Sequence, residues 1–306
     1  SNMSLAPGPR LYGSTLYAID LDKGQRAWWL QPFPHDPYDY DCNWSGILAD
    51  TAAFGKVYIK GCKEGTFYVI DAATGVPIYA KDVIPDMIAR GQIGDLTGSV
   101  KLFYRPDPNS FHDMREWNWI SWPATRPGEK GEHFTLPQTI ITDWYNGLFA
   151  TDMSFDPETQ TLILHEDALE VTINSEHPYS QGADLFKTSR SPNTNSTIVA
   201  RDLATGEVKW TYFDSYSHQR AAIVITGGLA FTAFTDGNMR FFDKDTGELL
   251  NTMNLGSSMV VQPTIGKDST GDSKIFVVVG ATRLAGAANF GLGEQSAVPG
   301  TLVALG

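Results

Sequence analysis

The stretch Phe67-Tyr68-Val69-Ile70-Asp71-Ala72-Ala73-Thr74-Gly75 joins a short apolar run to an Asp-x-x-x-Gly turn. An aspartate side chain accepts a hydrogen bond from the backbone two residues on, and glycine supplies the positive φ that closes the turn. The stretch therefore predicts a strand running into a β-hairpin. Three further copies stand in the chain: Leu16-Tyr17-Ala18-Ile19 before Asp20 and Gly24, Thr197-Ile198-Val199-Ala200 before Asp202 and Gly206, and Met239-Arg240-Phe241-Phe242 before Asp243 and Gly247. Phe155-Asp156-Pro157-Glu158-Thr159-Gln160 is a degenerate fifth turn, assigned to a different hairpin.

Working outward from Asp71 and Asp243, two copies overlay in full. Ile47 to Asp50, Lys56 to Lys60, Phe67 to Ile70 and Pro77 to Tyr79 match Ala222 to Ile225, Leu229 to Thr232, Met239 to Phe242 and Leu249 to Leu250. Gly65 and Gly237 each precede their turn aspartate by six residues. Four short strands in a repeat of about 40–45 residues are the mark of a β-propeller blade. With strands A to D running from axis to rim, C and D of one blade precede residue 32. Full blades follow at about 46–82, 148–214 and 220–253, and A, B and C run from 258 to 306, giving 17 strands. The predicted fold is all-β, a β-propeller of four-stranded antiparallel blades with about four blades in this chain. Residues 4–306 read as a single array with a Trp- and Pro-rich insertion at 83–147.

Eight residues past the turn aspartates stand Trp28, Tyr79, Trp210 and Asn251; two residues before them stand Ala18, Val69, Ala200 and Phe241. An indole past the turn with a small residue before it suits stacking between neighbouring blades.

Composition agrees with this reading. Among 306 residues there are 29 glycines and 17 prolines, aromatics make up 12 % and charged residues only 19 %, which disfavours a helical bundle. A formal net charge of −12 repels phosphate backbones and anionic lipid, so no nucleic-acid partner is expected. The longest uncharged apolar-rich stretch, Ala221 to Thr235, is too short and too interrupted by glycine to span a bilayer. A hydrophobic fraction of 42 % supports a packed core rather than disorder. Ser1-Asn2-Met3 reads as a cleavage remnant before a start methionine, and no signal peptide follows it. Two cysteines, Cys42 and Cys62, are too few for a disulfide scaffold.

Antiparallel blades put the A–B and C–D turns on one face, and the B–C turns and D–A connections on the other. The Asp…Gly turns are C–D turns and structural. The long connections 32–45, 83–147, 166–196 and 281–300 all fall on the opposite face. Connections of that length in a compact domain are usually functional, so the site is expected there. The insertion, with Trp117, Trp119 and Trp122, either lines a mouth or packs its own small core; packing is the reading preferred.

One of these connections carries a resemblance. Phe33-Pro34-His35-Asp36-Pro37-Tyr38-Asp39-Tyr40-Asp41, directly after a turn-and-Trp motif, resembles the quinoprotein alcohol and methanol dehydrogenases, which use pyrroloquinoline quinone (PQQ). The resemblance continues through Pro7-Gly8, Leu11-Tyr12, Glu64 to Asp71, Ser154 to Pro157, Gly227-Gly228, Asp236-Gly237 and Thr301 to Leu305, and covers the C-terminal part of that propeller only. It implies a quinoprotein alcohol dehydrogenase-like propeller that oxidises a small-molecule alcohol to an aldehyde with PQQ and calcium or a lanthanide, in the periplasm or another extracytoplasmic compartment.

By resemblance, Asp39 stands at the catalytic base and Lys63 at the cation beside the quinone oxygens. Asn146 stands near a quinone-contacting asparagine, and Asp39 with Asp41 at the metal. A carboxylate beside a cation stays ionised and accepts an alcohol proton, and a lysine stabilises charge developing on a quinone. Asp39 on a D–A connection and Lys63 on a B–C turn share a face. Cys42 and Cys62 flank these positions, as a bridge between loop and turn or as two free thiols.

The family's metal-binding glutamate, vicinal cysteines and pocket tryptophan and arginine belong to a part with no counterpart here. Phe149 falls opposite the later asparagine on an ungapped reading, and Leu284 or Ala285 opposite a pocket tryptophan. An active site thus requires a second half, either a homodimer or a separate N-terminal-half chain. In the homodimer the A and B strands near 258–280 would meet a second copy's C and D strands near 14–32. The alternative is a non-catalytic binding or assembly module with a degenerate pocket. His165-Glu166-Asp167 and Glu170 read as a solvated acidic loop, with weak cation binding as the functional alternative.

Overall fold

A computed structural model describes residues 15–31, 45–62, 65–90, 138–141, 152–166, 170–173, 188–190, 196–215, 217, 219, 221–280 and 300–306. The chain forms two compact units. The first comprises 1–50, 54–148 and 168–191, and the second 51–53, 149–167 and 192–306.

In the first unit, β1 (Leu16–Asp20) and β2 (Gln25–Leu30) form a two-stranded hairpin. β3 (Ile47–Thr51), β4 (Gly55–Cys62), β5 (Thr66–Asp71) and β6 (Pro77–Asp82) follow as a four-stranded antiparallel meander in sequential order. The short helix α1 (Ile84–Ala89) leaves the end of β6. β7 (Gln138–Ile141) lies in the insertion.

The second unit begins with β8 (Ser154–Asp156) and β9 (Thr161–His165). The chain then contributes β10 (Glu170–Ile173) and β11 (Thr188–Arg190) to the first unit, and returns with β12 (Ser196–Asp202) and β13 (Val208–Asp214). β8, β9, β12 and β13 make one four-stranded sheet. β14 (Val224–Thr226), β15 (Leu229–Ala233), β16 (Asn238–Asp243) and β17 (Leu249–Asn254) make the next. β18 (Thr264–Lys267), β19 (Ser273–Val279) and β20 (Thr301–Leu305) close the described chain as a three-stranded sheet. The blade sheets thus hold two, four, four, four and three strands, the predicted count and order.

One expectation needs correcting. The connections 83–147 and 166–196 are not both plain loops, because β7, β10 and β11 form a separate three-stranded antiparallel sheet with β10 in the middle. Gln138-Thr139-Ile140-Ile141 and Glu170-Val171-Thr172-Ile173 are short and rich in β-branched residues, which favour a pleated strand.

The four C–D hairpins are built alike. Gly24, Gly75, Gly206 and Gly247 have φ of 63°, 74°, 74° and 75°, and each donates its N–H to the carbonyl of its turn aspartate at 2.8–2.9 Å. The Thr74, Thr205 and Thr246 amides donate to Oδ1 of Asp71, Asp202 and Asp243, and the Asp22 and Lys23 amides to that of Asp20. A bulge precedes every turn at the same place: Ala18/Ile19, Val69/Ile70, Ala200/Arg201 and Phe241/Phe242. The small residue and the aromatic singled out in sequence are direct cross-strand partners, Ala18 with Trp28 and Ala200 with Trp210.

Each indole then reaches the following sheet. Trp28 Nε1–H donates to the Ala72 carbonyl at 2.9 Å, and Trp210 Nε1–H to that of Lys244 at 3.0 Å. A Cβ added to Gly75 or Gly247 would lie 2.5 Å from the ring of Trp28 or Trp210, so only glycine leaves room for the stack. Burying a large apolar side chain in this way is worth about 1.5–3 kcal/mol.

Two apolar clusters hold the second unit together. Ile163, Ile198, Trp210, Ile223, Phe234 and Phe242 fill one, and Phe231, Met239, Met259, Val277 and Val279 the other. Lys244 adds a polar tie. Its Nζ lies 2.5 Å from Oδ2 of Asp156, which turns the β8–β9 hairpin as the sequence indicated.

Candidate functional site

Trp28 and the Ala72 carbonyl fix which ends of the first two sheets coincide. Trp28, four residues past Gly24 on β2, reaches the Ala72 carbonyl in the next C–D turn, so these two turns share a side and the opposite ends of β2, β3, β4 and β5 share the other. At that side β2 ends in Leu30 and Gln31, both buried. Gly46 leads into β3 pressed against the Tyr58 ring and the Ile59 carbonyl, where a Cβ would lie within 2.6 Å of both. The β4–β5 turn closes with the Gly65 amide donating to the Cys62 carbonyl at 3.0 Å. The Gly65 carbonyl accepts from the Val83 amide at 2.9 Å, which brings the start of α1 to the same side. The described residues that flank 32–44 and 63–64 therefore lie on one side of these sheets, as blade topology predicts.

The predicted site residues Asp39, Asp41, Lys63 and Asn146 lie outside the described residues. The frame that carries them is within reach. Ile59, Cys62, Phe67, Tyr68, Val69 and Ile70 are buried without measurable exposure. Cys62 is disulfide-bonded, and the chain has one other cysteine, Cys42, itself outside the described residues. Of the two alternatives, a bridge and not free thiols is therefore present. Thiol titration of the denatured, unreduced protein is expected to find no free cysteine, and two after reduction.

Among the described residues no group of three or more His, Cys, Asp or Glu side chains is arranged to hold a metal ion.

Sequence reasoning passed over several buried charges. Lys60 is fully buried on β4, three residues before Lys63. Arg201 and Glu166 are both fully buried, with Arg201 Nη2 and Nε at 2.6 and 2.8 Å from Glu166 Oε1 and Nη1 donating to the Gly206 carbonyl. This corrects the solvated-loop reading and its cation-binding alternative at that position: His165 and Glu166 are buried, and Glu166 is held by Arg201. The available signal was the unbroken apolar run Leu162-Ile163-Leu164 of β9, all of whose residues are buried, with the burial continuing into Glu166.

A second cluster lies where β13 ends and β15 turns into β16. Arg240 Nη2 sits 2.8 Å from Asp214 and 2.7 Å from Asp236, and its guanidinium lies 4.0 Å from the centre of the Phe234 ring. Ser217 Oγ donates to Asp236 at 2.6 Å. Every charge here meets an opposite one or a hydroxyl, so the cluster pins the connection after β13.

These pairs set an acid limit. Burial pushes the carboxyls of Asp156 and Asp236 up, but hydrogen bonds from Lys244 and Thr159, and from Arg240, Ser217 and Asn238, hold both below the ordinary range. An aspartate depressed in the fold contributes fully above its unfolded value of about 3.9, and the contribution fades as pH falls through the folded value. Stability is therefore expected to be flat above about pH 5 and to fall below about pH 4. Asp236→Asn should flatten that acid limb in urea titrations at stepped pH.

No helix among the described residues is long and apolar enough to cross a membrane.

Comparison with known proteins places this frame. Residues 4–91 match the PQQ family model, described as the β-propeller domain of glucose/ethanol/alcohol dehydrogenase. A lupanine 17-hydroxylase [cytochrome c] from Pseudomonas sp is 27 % identical over 89 % of this chain and 37 % of its own length. A lanthanide-dependent methanol dehydrogenase from Methylorubrum extorquens is 23 % identical over 85 % of this chain and 42 % of its own length. The solved structure of a europium-containing methanol dehydrogenase covers 93 % of this chain and 47 % of its own at a TM-score of 0.64 and 18 % identity. The resemblance to PQQ-dependent alcohol and methanol dehydrogenases holds across nearly the whole chain, and the fold is a partial β-propeller of several blades like those of the quinoprotein dehydrogenases. The chain spans about two-fifths of the length of these two curated relatives, at 37 % and 42 %.

Proposed function

We propose that residues 4–306 are one portion of a quinoprotein dehydrogenase propeller. Completed by the portion it does not span, this array oxidises a primary alcohol to an aldehyde with PQQ and calcium or a lanthanide, outside the cytoplasm. Asp39 is assigned as the group that accepts the alcohol proton at its carboxylate, and Lys63 as the cation beside the cofactor. Asn146 is assigned as a further polar contact, and Asp39 with Asp41 as metal ligands. When bound, PQQ supplies the two-electron acceptor that an alcohol requires.

The observation that supports this reading is that the described residues flanking 32–44 and 63–64 lie on one side of the first two sheets, beside a disulfide-bonded Cys62. Pairing of Cys62 with Cys42 would tie the aspartate connection to the lysine turn covalently.

The arrangement of β20 bears on how the second half is supplied. A homodimer joining two strands of one copy to β1 and β2 of the next would need the edge of β19 that β20 already occupies. A separate complementary portion meets no such conflict.

Purified chain mixed with that portion of a methanol dehydrogenase relative, PQQ and lanthanum is expected to reduce a redox dye only when a primary alcohol is added. Asp39→Asn should lower the rate by about 100-fold or more, the usual weight of a general base. Alcohol-independent or absent dye reduction would leave the assembly-module reading.

A further inference from the structure

A lysine ammonium is stable in a protein interior only where an opposite charge meets it. Lys60 has no measurable exposure. Strand alternation puts it on the same face of β4 as Tyr58 and Cys62. Its row across the sheet continues through Tyr68 on β5 to Ala80 on β6, neither of which carries an opposite charge. The next row runs from Cys62 through Thr66 to Asp82, a carboxylate two strands away from β4. On the other flank of β4, Gly46 lies against the Tyr58 ring and the Ile59 carbonyl. In this antiparallel hairpin the chain that leads into β3 therefore arrives level with Lys60. That chain is the 32–44 connection, which carries Asp36, Asp39 and Asp41 and neither lysine nor arginine. Cys62, two residues past Lys60 on the same face, is disulfide-bonded, and the other cysteine of the chain, Cys42, belongs to that connection.

We infer that Lys60 is the counter-charge of the 32–44 connection: its ammonium pairs with one of Asp36, Asp39 and Asp41 and, with the Cys62 bridge, seats that connection on β4. Two successive positions on one face of β4 thus hold the same segment, one by charge and one covalently. A buried charge fixes its partner closely, because leaving either one alone in the interior is costly. Lys60 is accordingly a positioning residue, which acts through the connection and does not touch substrate. The inference rests on the proposed function only for what the seated connection does; the ion pair itself requires no PQQ.

Hydrogen–deuterium exchange of the 306-residue chain tests the pair. Lys60→Met keeps an unbranched apolar stem and removes the charge, and is expected to speed exchange in 32–44 by about tenfold or more. Combining it with Asp36→Asn, Asp39→Asn or Asp41→Asn should restore the parent rate for one of the three, because a neutral amide needs no counter-charge. The same Asn variant without Lys60→Met should let acetic anhydride acetylate Lys60 about tenfold faster or more, a readout that stands even where Lys60→Met fails to fold. Exchange indifferent to Lys60→Met, or restoration by Asp82→Asn or Glu64→Gln in place of the three aspartates, overturns the inference. For the positioning role, the chain is mixed with the complementary portion of a methanol dehydrogenase relative, PQQ and lanthanum. Lys60→Met is expected to weaken PQQ binding by about tenfold while the two portions associate as before. Unchanged PQQ affinity beside faster exchange in 32–44 overturns the positioning role. Restored exchange in the paired variant, with no assembly binding PQQ, upholds the ion pair and refutes the catalytic reading alone.

Discussion

Gly247→Ala is expected to destabilise the second unit by about 2–4 kcal/mol, where Gly55→Ala costs about 1 kcal/mol. Both glycines have positive φ, 75° and 71°, so the backbone strain is shared. The difference lies in what the new methyl group meets. Among the described residues nothing lies within 4 Å of a Cβ at Gly55; at Gly247 the Trp210 ring is 2.5 Å away, and its Nε1–H is committed to the Lys244 carbonyl. The indole cannot retreat without losing that bond and its contacts with Ile198, Phe234 and Phe242 in the shared core. Urea denaturation of the two variants, followed by tryptophan fluorescence, reads the gap. Equal losses would mean that the turn glycines serve only the backbone and that the indole seat contributes little.

Arg201→Met should cost about 3–5 kcal/mol, the usual penalty for leaving a buried charge without its partner. Neither Arg201 nor Glu166 has side-chain exposure, so water cannot compensate either one. The pairing of Arg201→Met with Glu166→Gln is expected to recover most of the loss, because burying a charge is costlier than burying a neutral amide. Recovery to within about 1–2 kcal/mol of the parent in a double-mutant cycle is the expected outcome. A double variant as unstable as Arg201→Met would show that the guanidinium acts mainly through the Gly206 carbonyl, to which it donates at 2.8 Å.

What could be read in the sequence divides along the range of the interactions involved. The Asp…Gly turns were legible because both parts of each turn lie within five residues and each has a local physical cause. The repeat spacing then carried the strand count and the side of the sheets from which 32–44 and 63–64 emerge. The stack of Trp28 on Gly75 was half legible: the aromatic position was plain, but its partner glycine lies 47 residues on and is known only from the fold. The β7–β10–β11 sheet was missed because strands of three or four residues, far apart in sequence, give too little periodicity against a long polar stretch.

The buried charges were missed for a different reason. Arg201, Arg240 and Lys244 sit beside the turn motifs, where a charged residue reads as solvent-facing. Only tertiary contacts with Glu166, with Asp214 and Asp236, and with Asp156 make them interior. The candidate site residues Asp39, Asp41, Lys63 and Asn146 were reached by resemblance, and the described structure supplies the frame on either side of the first three.

That frame makes PQQ binding the measurement closest to the central claim. Titrating PQQ with lanthanum or calcium into the chain and its complementary propeller portion, and following the quinone absorbance, is expected to show saturable one-to-one binding that weakens in Asp39→Asn and Lys63→Ala. The chain without its complement is expected to bind poorly. An assembled propeller that leaves the quinone spectrum unchanged at tens of micromolar would contradict the account.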